Sequence, residues 1–227
     1  MANKLYVKAF LDVSCPYSWI GFKMLKQRTK LWEKKNVNID TFPVTSRSIR
    51  SVSVVIQDNA FLTCEYFRYQ FYTMDDTIEA KDFSTRQGNS LTRGSFLLNL
   101  IKTERPNLYE MAFDMAWKTV WSDNAPFNRS PHFFKLCRAI GLSFRDSDDI
   151  VSRLETVTNI KLFRKNSNLA CSYGAVDTPC FVVLDERSKF FTLCSIFRFP
   201  QADFLIENPS LLEKIGSSLE HVENTEA

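Results

Sequence analysis

Histidine is nearly missing from this chain: it has two in 227 residues, and neither His132 nor His221 stands near a cysteine pair. That excludes the His/Cys spacings of a zinc site, and no other metal-ligand spacing takes their place, so no metal is expected. Long apolar runs are missing as well. Nothing approaches the roughly 18 consecutive apolar residues that a membrane-crossing helix needs, so the chain is not expected to span a membrane. A large excess of one charge is also absent. A net charge of +3 gives no broad basic patch, which argues against nucleic acid as a partner. The start Met1-Ala-Asn-Lys-Leu-Tyr6 runs straight into strand-like sequence, without a secretory signal or an Arg-rich presequence. The last residues, Glu226 and Ala227, form no peroxisomal address. Six cysteines in such a chain read as reduced thiols of an intracellular protein.

What is present concentrates at Phe10-Leu-Asp-Val-Ser-Cys-Pro-Tyr-Ser-Trp-Ile-Gly21. Leu5, Val7, Ala9 and Leu11 alternate with other residues as a strand does, and a helical pattern follows from Pro16 to about residue 34. Cys15 therefore falls where a strand ends and a helix begins, with Pro16 in the first helical turn. Free backbone N–H groups and the positive end of the helix dipole favour a thiolate there, so a depressed Cys15 pKa is expected. Residues 37–42 read as a second strand, closed by Pro43. Residues 93–102, 108–121, 130–140 and 148–170 carry helical patterns. A hairpin is expected from 180–184 and 190–194, turned at 185–189, before a last helix that begins near Pro200 and carries Phe204, Leu205, Leu211, Leu212 and Ile215. Ahead of the hairpin stands Gly174-Ala-Val-Asp-Thr-Pro-Cys-Phe-Val-Val-Leu184. Its Thr178-Pro179 step, just before a run of β-formers, is where a thioredoxin-like fold carries a cis-proline loop.

With both motifs in view, the chain resembles the kappa class of glutathione S-transferases, within the disulfide-oxidoreductase and 2-hydroxychromene-2-carboxylate isomerase superfamily. The residues that carry the resemblance are Asp12-Val-Ser-Cys-Pro-Tyr-Ser-Trp-Ile-Gly-Phe22, Trp117-Lys-Thr-Val-Trp-Ser122, Lys135-Leu-Cys-Arg-Ala-Ile-Gly-Leu-Ser143 and Cys171-Ser-Tyr-Gly-Ala175. The resemblance implies an α/β fold: a discontinuous thioredoxin-like domain over 1–47 and 167–227, with a helical insertion domain over 48–166. It implies a glutathione transferase or peroxidase that acts in detoxification on a small hydrophobic electrophile or a hydroperoxide. It also implies a homodimer and a mitochondrial or peroxisomal location. The aromatics Tyr66, Phe67, Tyr69, Phe71 and Tyr72 are the local pointer to a dimer.

In the kappa class, a serine at the position of Cys15 hydrogen-bonds the glutathione thiolate, and the main chain before the cis-proline, here Thr178 and Pro179, pairs with the cysteinyl part. Pro16 and Tyr17 flank that position. The Ser-Asp pair that grips the γ-glutamyl end falls here on Ile196 and Phe197, followed by a matching Arg198, while Arg47 and Arg50 offer cations for a ligand carboxylate. A thiol is a weaker donor than a hydroxyl, but it can form a mixed disulfide. Ser18 occupies the place of a resolving cysteine, so the motif cannot close a disulfide on itself. Three readings stay open: a kappa-like transferase, a monothiol disulfide oxidoreductase with Cys15 as nucleophile, and a non-catalytic ligand-binding relative. Of the other cysteines, Cys180 is the one expected to line the cleft; Cys64, Cys137 and Cys171 read as inert thiols.

Overall fold

Alternation at the start of the chain produces β1 (Leu5–Leu11), and the computed structural model, which describes residues 4–49, 92–123 and 125–218, pairs it on both edges. β2 (Val37–Pro43) runs parallel to β1, with Leu5 beside Val37. β3 (Cys180–Asp185) runs antiparallel on the other side, with Phe10 opposite Cys180. β4 (Lys189–Cys194) and a two-residue β5 (Ser217–Ser218) complete the order β2-β1-β3-β4-β5. The β3–β4 turn is closed by Asp185, whose carboxylate accepts the N–H groups of Arg187 and Lys189, each at 2.9 Å. Every β3 residue is buried, as a central strand covered on both faces requires.

Helix α1 (Pro16–Glu33) connects β1 to β2 and packs beneath the sheet. Gly21 allows the close approach. A Cβ placed there would stand 2.9 Å from the Phe181 ring and 3.3 Å from the Ile196 side chain. Phe181 also meets Phe199, with ring centroids 4.5 Å apart. The opposite face of the sheet carries Phe10, Cys180, Val182, Leu184 and Phe190, packed against Ala170, Tyr173 and Ala175. A short α2 (Ser46–Ile49) follows β2. The last helix expected from the sequence is two, α8 (Phe199–Glu207) and α9 (Ser210–Ile215). Pro209 lacks the N–H that a continuous helix would need at that position.

The chain divides into two compact units, Met1–Ser51 with Arg164–Ala227, and Val52–Phe163. The second unit contains α3 (Thr92–Glu104), α4 (Pro106–Trp117), α5 (Ser130–Ala139), α6 (Phe144–Ser152) and the start of α7 (Val157–Ser172). Its core includes Leu97, Ile101, Phe113, Trp117 and Phe133, all fully enclosed. The apolar stretch read as one helix to Trp121 leaves α-helical geometry at Lys118 and ends in a π turn over Lys118–Ser122. Helix α6 begins earlier than its apolar pattern, because Ser143 caps it by accepting the Asp146 N–H at 3.0 Å. Among the described residues, no helix is long and apolar enough to cross a membrane. The aromatic cluster from Tyr66 to Tyr72, Cys64, Arg50 and His221 lie outside the described residues.

Candidate functional site

The end of β1 and the start of α1 hold Cys15 at a fixed point. Cys15 is extended (φ −108°, ψ 115°) and immediately precedes the helix, and Pro16 is its first residue. The turn is pinned from below by Asp12, whose side chain is almost wholly enclosed. Its carboxylate accepts the Ser14 N–H at 2.8 Å, the Ser14 hydroxyl at 2.6 Å and the Ser46 N–H at 2.6 Å. The Asp12 N–H in turn donates to the Ser18 hydroxyl at 3.1 Å. One acidic side chain thus ties the Cys15 loop to the segment after β2.

The Thr178-Pro179 peptide bond is cis, as the sequence leads one to expect. It brings the Thr178 carbonyl within 3.5 Å of Cys15 Sγ, which donates to it across 163 positions of chain. The Thr178 hydroxyl bonds the Ser46 hydroxyl, and the Thr178 N–H donates to the Asp177 carboxylate at 2.8 Å. Both main-chain groups expected to face a thiol ligand are therefore engaged within the chain. A fourth strip joins through Ser195, whose N–H donates to the Pro179 carbonyl at 3.1 Å.

The sequence-derived positions separate here. Cys15, Thr178 and Pro179 converge; Pro16 is buried behind them, and Tyr17 follows half-buried in the first helical turn. Ile196 does not present a polar grip in place of the Ser-Asp pair: it is 1% exposed and packs toward Gly21, while Phe197 is 52% exposed. Cys180, expected to line the cleft, is instead wholly enclosed on the sheet face opposite Phe181, because strand alternation turns it away. Asp12 and Ser46, which the sequence does not single out as site residues, hold this geometry in place. The Asp12-x-Ser14 turn was readable in principle, whereas the contact from Ser46 was not.

The expected depression of the Cys15 pKa is overturned. Burial, reinforced by the negative charge of Asp12, pushes the thiol up to about 11, against weaker opposing hydrogen bonds from Ser18 and Thr178. Asp12 is itself raised by burial, although its serine donors hold it down in part. The helix end is present, but the enclosure of the sulfur and the neighbouring carboxylate outweigh it. Cys15 is thus a protonated thiol at neutral pH, suited to donating a hydrogen bond. No cluster of His, Cys, Asp and Glu among the described residues is arranged to hold a metal ion. His132 serves as a helix cap, its Nδ1 accepting the Arg129 N–H at 3.3 Å.

The sequence profile of the DSBA-like thioredoxin domain matches residues 6–202. Human glutathione S-transferase kappa 1 is 23% identical over 184 residues, covering 78% of this chain and 80% of that one. The structure of 2-hydroxychromene-2-carboxylate isomerase superposes with a TM-score of 0.66 at 12% identity, covering 90% of this chain and 96% of that one. The cytosolic disulfide reductase DsbM of Pseudomonas aeruginosa, solved with glutathione, gives a TM-score of 0.61 at 11% identity, covering 92% and 100%.

Proposed function

The chain belongs to the DSBA-like thioredoxin domain family, and from that premise we propose that it is a glutathione-dependent enzyme of the kappa-transferase type, with Cys15 acting as a hydrogen-bond donor. The observation that carries this reading is the placement of the Cys15 thiol beside the Thr178 carbonyl, at 3.5 Å, next to cis-Pro179; its raised pKa keeps it in the donor form. Glutathione lying along residues 177–179 would put its sulfur at this S–H. A thiolate that accepts a hydrogen bond is favoured over the free thiol, so its proton passes to solvent and its electron pair is available to attack. On a small hydrophobic electrophile, that pair forms the new carbon–sulfur bond as the leaving group departs. The kappa 1 relative bears the transferase name, and DsbM was solved with glutathione. At the thiol end the residues fit the co-substrate. At the γ-glutamyl end Ile196 and Phe197 offer only main-chain groups and apolar surface.

A second reading has its own observation: sulfur stands at position 15 where the kappa class carries oxygen. In that reading Cys15 attacks a disulfide and holds glutathione covalently until a second thiol releases it. The substitution Cys15→Ser separates the two. If Cys15 donates, the serine variant keeps conjugation of glutathione to an activated aryl chloride, or raises it up to about fivefold, a gain of roughly 1 kcal/mol for the better donor. Loss of conjugation, together with loss of a glutathione adduct in the mass spectrum, overturns the proposal in favour of the oxidoreductase. Glutathione binding without turnover in either form overturns both in favour of a binding protein.

A further inference from the structure

Away from Cys15, register brings two more thiols together. Cys180 and Cys194 are direct partners across β3 and β4. The Ser195 N–H donates to the Pro179 carbonyl, which makes 179–195 a hydrogen-bonding position and Cys180–Cys194 the non-hydrogen-bonded pair next to it. In that type of antiparallel pair the side chains lie closest, with Cα atoms about 4.5 Å apart, inside the range a disulfide spans. Their sulfurs are 3.2 Å apart, and both thiols are free. Cys180 is sealed in the core, whereas Cys194 is half-buried and lines a cavity of about 540 Å³ with Val176, Arg198, Gln201 and Phe204. Arg198, bonded to Gln201 at 3.1 Å, brings a guanidinium to this cavity, the group that best matches a carboxylate.

We propose that Cys180 and Cys194 form a redox centre separate from Cys15, a cross-strand dithiol that a small acidic disulfide such as glutathione disulfide converts into a protein disulfide. Cys194 is the attacking sulfur. Contact with Cys180, helped by the N–H groups of Val176 and Asp177, pulls its pKa down to about 6 against burial and the Asp177 charge. Cys180, held next to Cys194 and enclosed, is raised and keeps its proton. The Cys194 thiolate attacks one sulfur of glutathione disulfide, a mixed disulfide forms, and the first glutathione leaves and takes up a proton. Cys180 then gives up its proton and attacks the Cys194 sulfur; the cross-strand bond closes and expels the second glutathione. Two protein thiols are oxidised by two electrons, and one disulfide is reduced to two thiols. The bond would lie directly after Pro179, so it would fix the hairpin next to the Thr178 carbonyl.

The test uses the full chain in a Cys171→Ser background, because cleavage after Lys165 and Arg187 otherwise leaves Cys171 and Cys180 in one peptide. After incubation with glutathione disulfide and blocking of free thiols, the digest should contain a Cys180–Cys194 linked peptide. The same peptide should form when Cys15→Ser is added, which separates this centre from any chemistry at Cys15. With Cys180→Ser the reaction should stop with one glutathione on Cys194. Near neutral pH, Cys194 should react with iodoacetamide about tenfold faster than Cys137, or more. Absence of the linked peptide from the folded protein, its appearance only in urea, or equal alkylation rates for Cys194 and Cys137 each overturn the proposal.

Discussion

Burial, reinforced by the carboxylate of Asp12, sets the protonation state in which Cys15 is found. A thiol titrating near 11 is ionised at pH 7 to about one part in ten thousand, so the resting sulfur is a donor rather than a nucleophile. Replacing Asp12 by Asn removes the charge but keeps one acceptor oxygen. The Asp12→Asn variant should shift the pH profile of Cys15 alkylation to lower pH, as read by peptide mapping; an unmoved profile would exclude the charge as a cause. The same change turns an amide N–H₂ toward one of the N–H donors, Ser14 or Ser46, and should destabilise the fold by about 1–3 kcal/mol. The importance of position 15 was legible in the sequence, because a cysteine before proline at a strand-to-helix step is a local pattern. Its charge state was not. That depends on burial and on a carboxylate whose surroundings are assembled from Ser14 and from Ser46, 34 residues away.

Helices α1 and α8 are fastened through Asp203, which accepts Arg28 Nε at 2.9 Å and Trp32 Nε1 at 3.0 Å. Trp32 is 1% exposed, so its indole N–H depends on that acceptor. Asp203→Ala strands the N–H and should lower stability by about 1–3 kcal/mol, seen as a lower urea midpoint with an unchanged slope. A midpoint within error of wild type would mean that other contacts, among them Trp32 against Phe199, hold the helices without Asp203. Strands β1 to β4 and helix α1 were readable because periods of 2 and 3.6 persist through them. The division between α8 and α9 was written in Asn208-Pro209 but masked by apolar residues on both sides. The Cys180–Cys194 pair was implicit in the expected hairpin, whose equal arms 180–184 and 190–194 end on the two cysteines; only the structure fixes that register, and a slip of one would have parted them.

Taken together, the thiols with shifted pKa values predict how the stability of the whole chain depends on pH. Cys15 and Cys137 are each raised from the ordinary thiol value near 9 to about 11. A group raised in the folded state stabilises fully below its unfolded pKa, and that contribution is lost as pH rises through the folded value. Cys194, lowered to about 6, works the other way: its contribution is present above 9 and lost as pH falls through 6. The thiols alone therefore give a maximum near pH 9. Relative to wild type, Cys137→Ala should flatten the fall in urea stability between pH 9 and 11, and Cys194→Ala should flatten the rise between pH 6 and 9. Parallel curves for wild type and both variants would show that these thiols do not govern the profile. The thioredoxin-like architecture could be read ahead of the structure because its two signature loops, about 160 positions apart, each have a local spelling; the linkage of the thiols to pH could not.

The engagement of Thr178 by its own neighbours has a calorimetric consequence. A cysteinyl ligand settling on Thr178 must displace the Asp177 carboxylate from its N–H and the Cys15 thiol from its carbonyl. Association is then a swap of partners with the number of hydrogen bonds nearly conserved, so the heat released should be small even where occupancy is high. The carboxylate set free at Asp177 returns to water. The ligand thiol, ionising as it accepts the Cys15 hydrogen bond, sheds a proton, so the observed heat should vary with the ionisation enthalpy of the buffer.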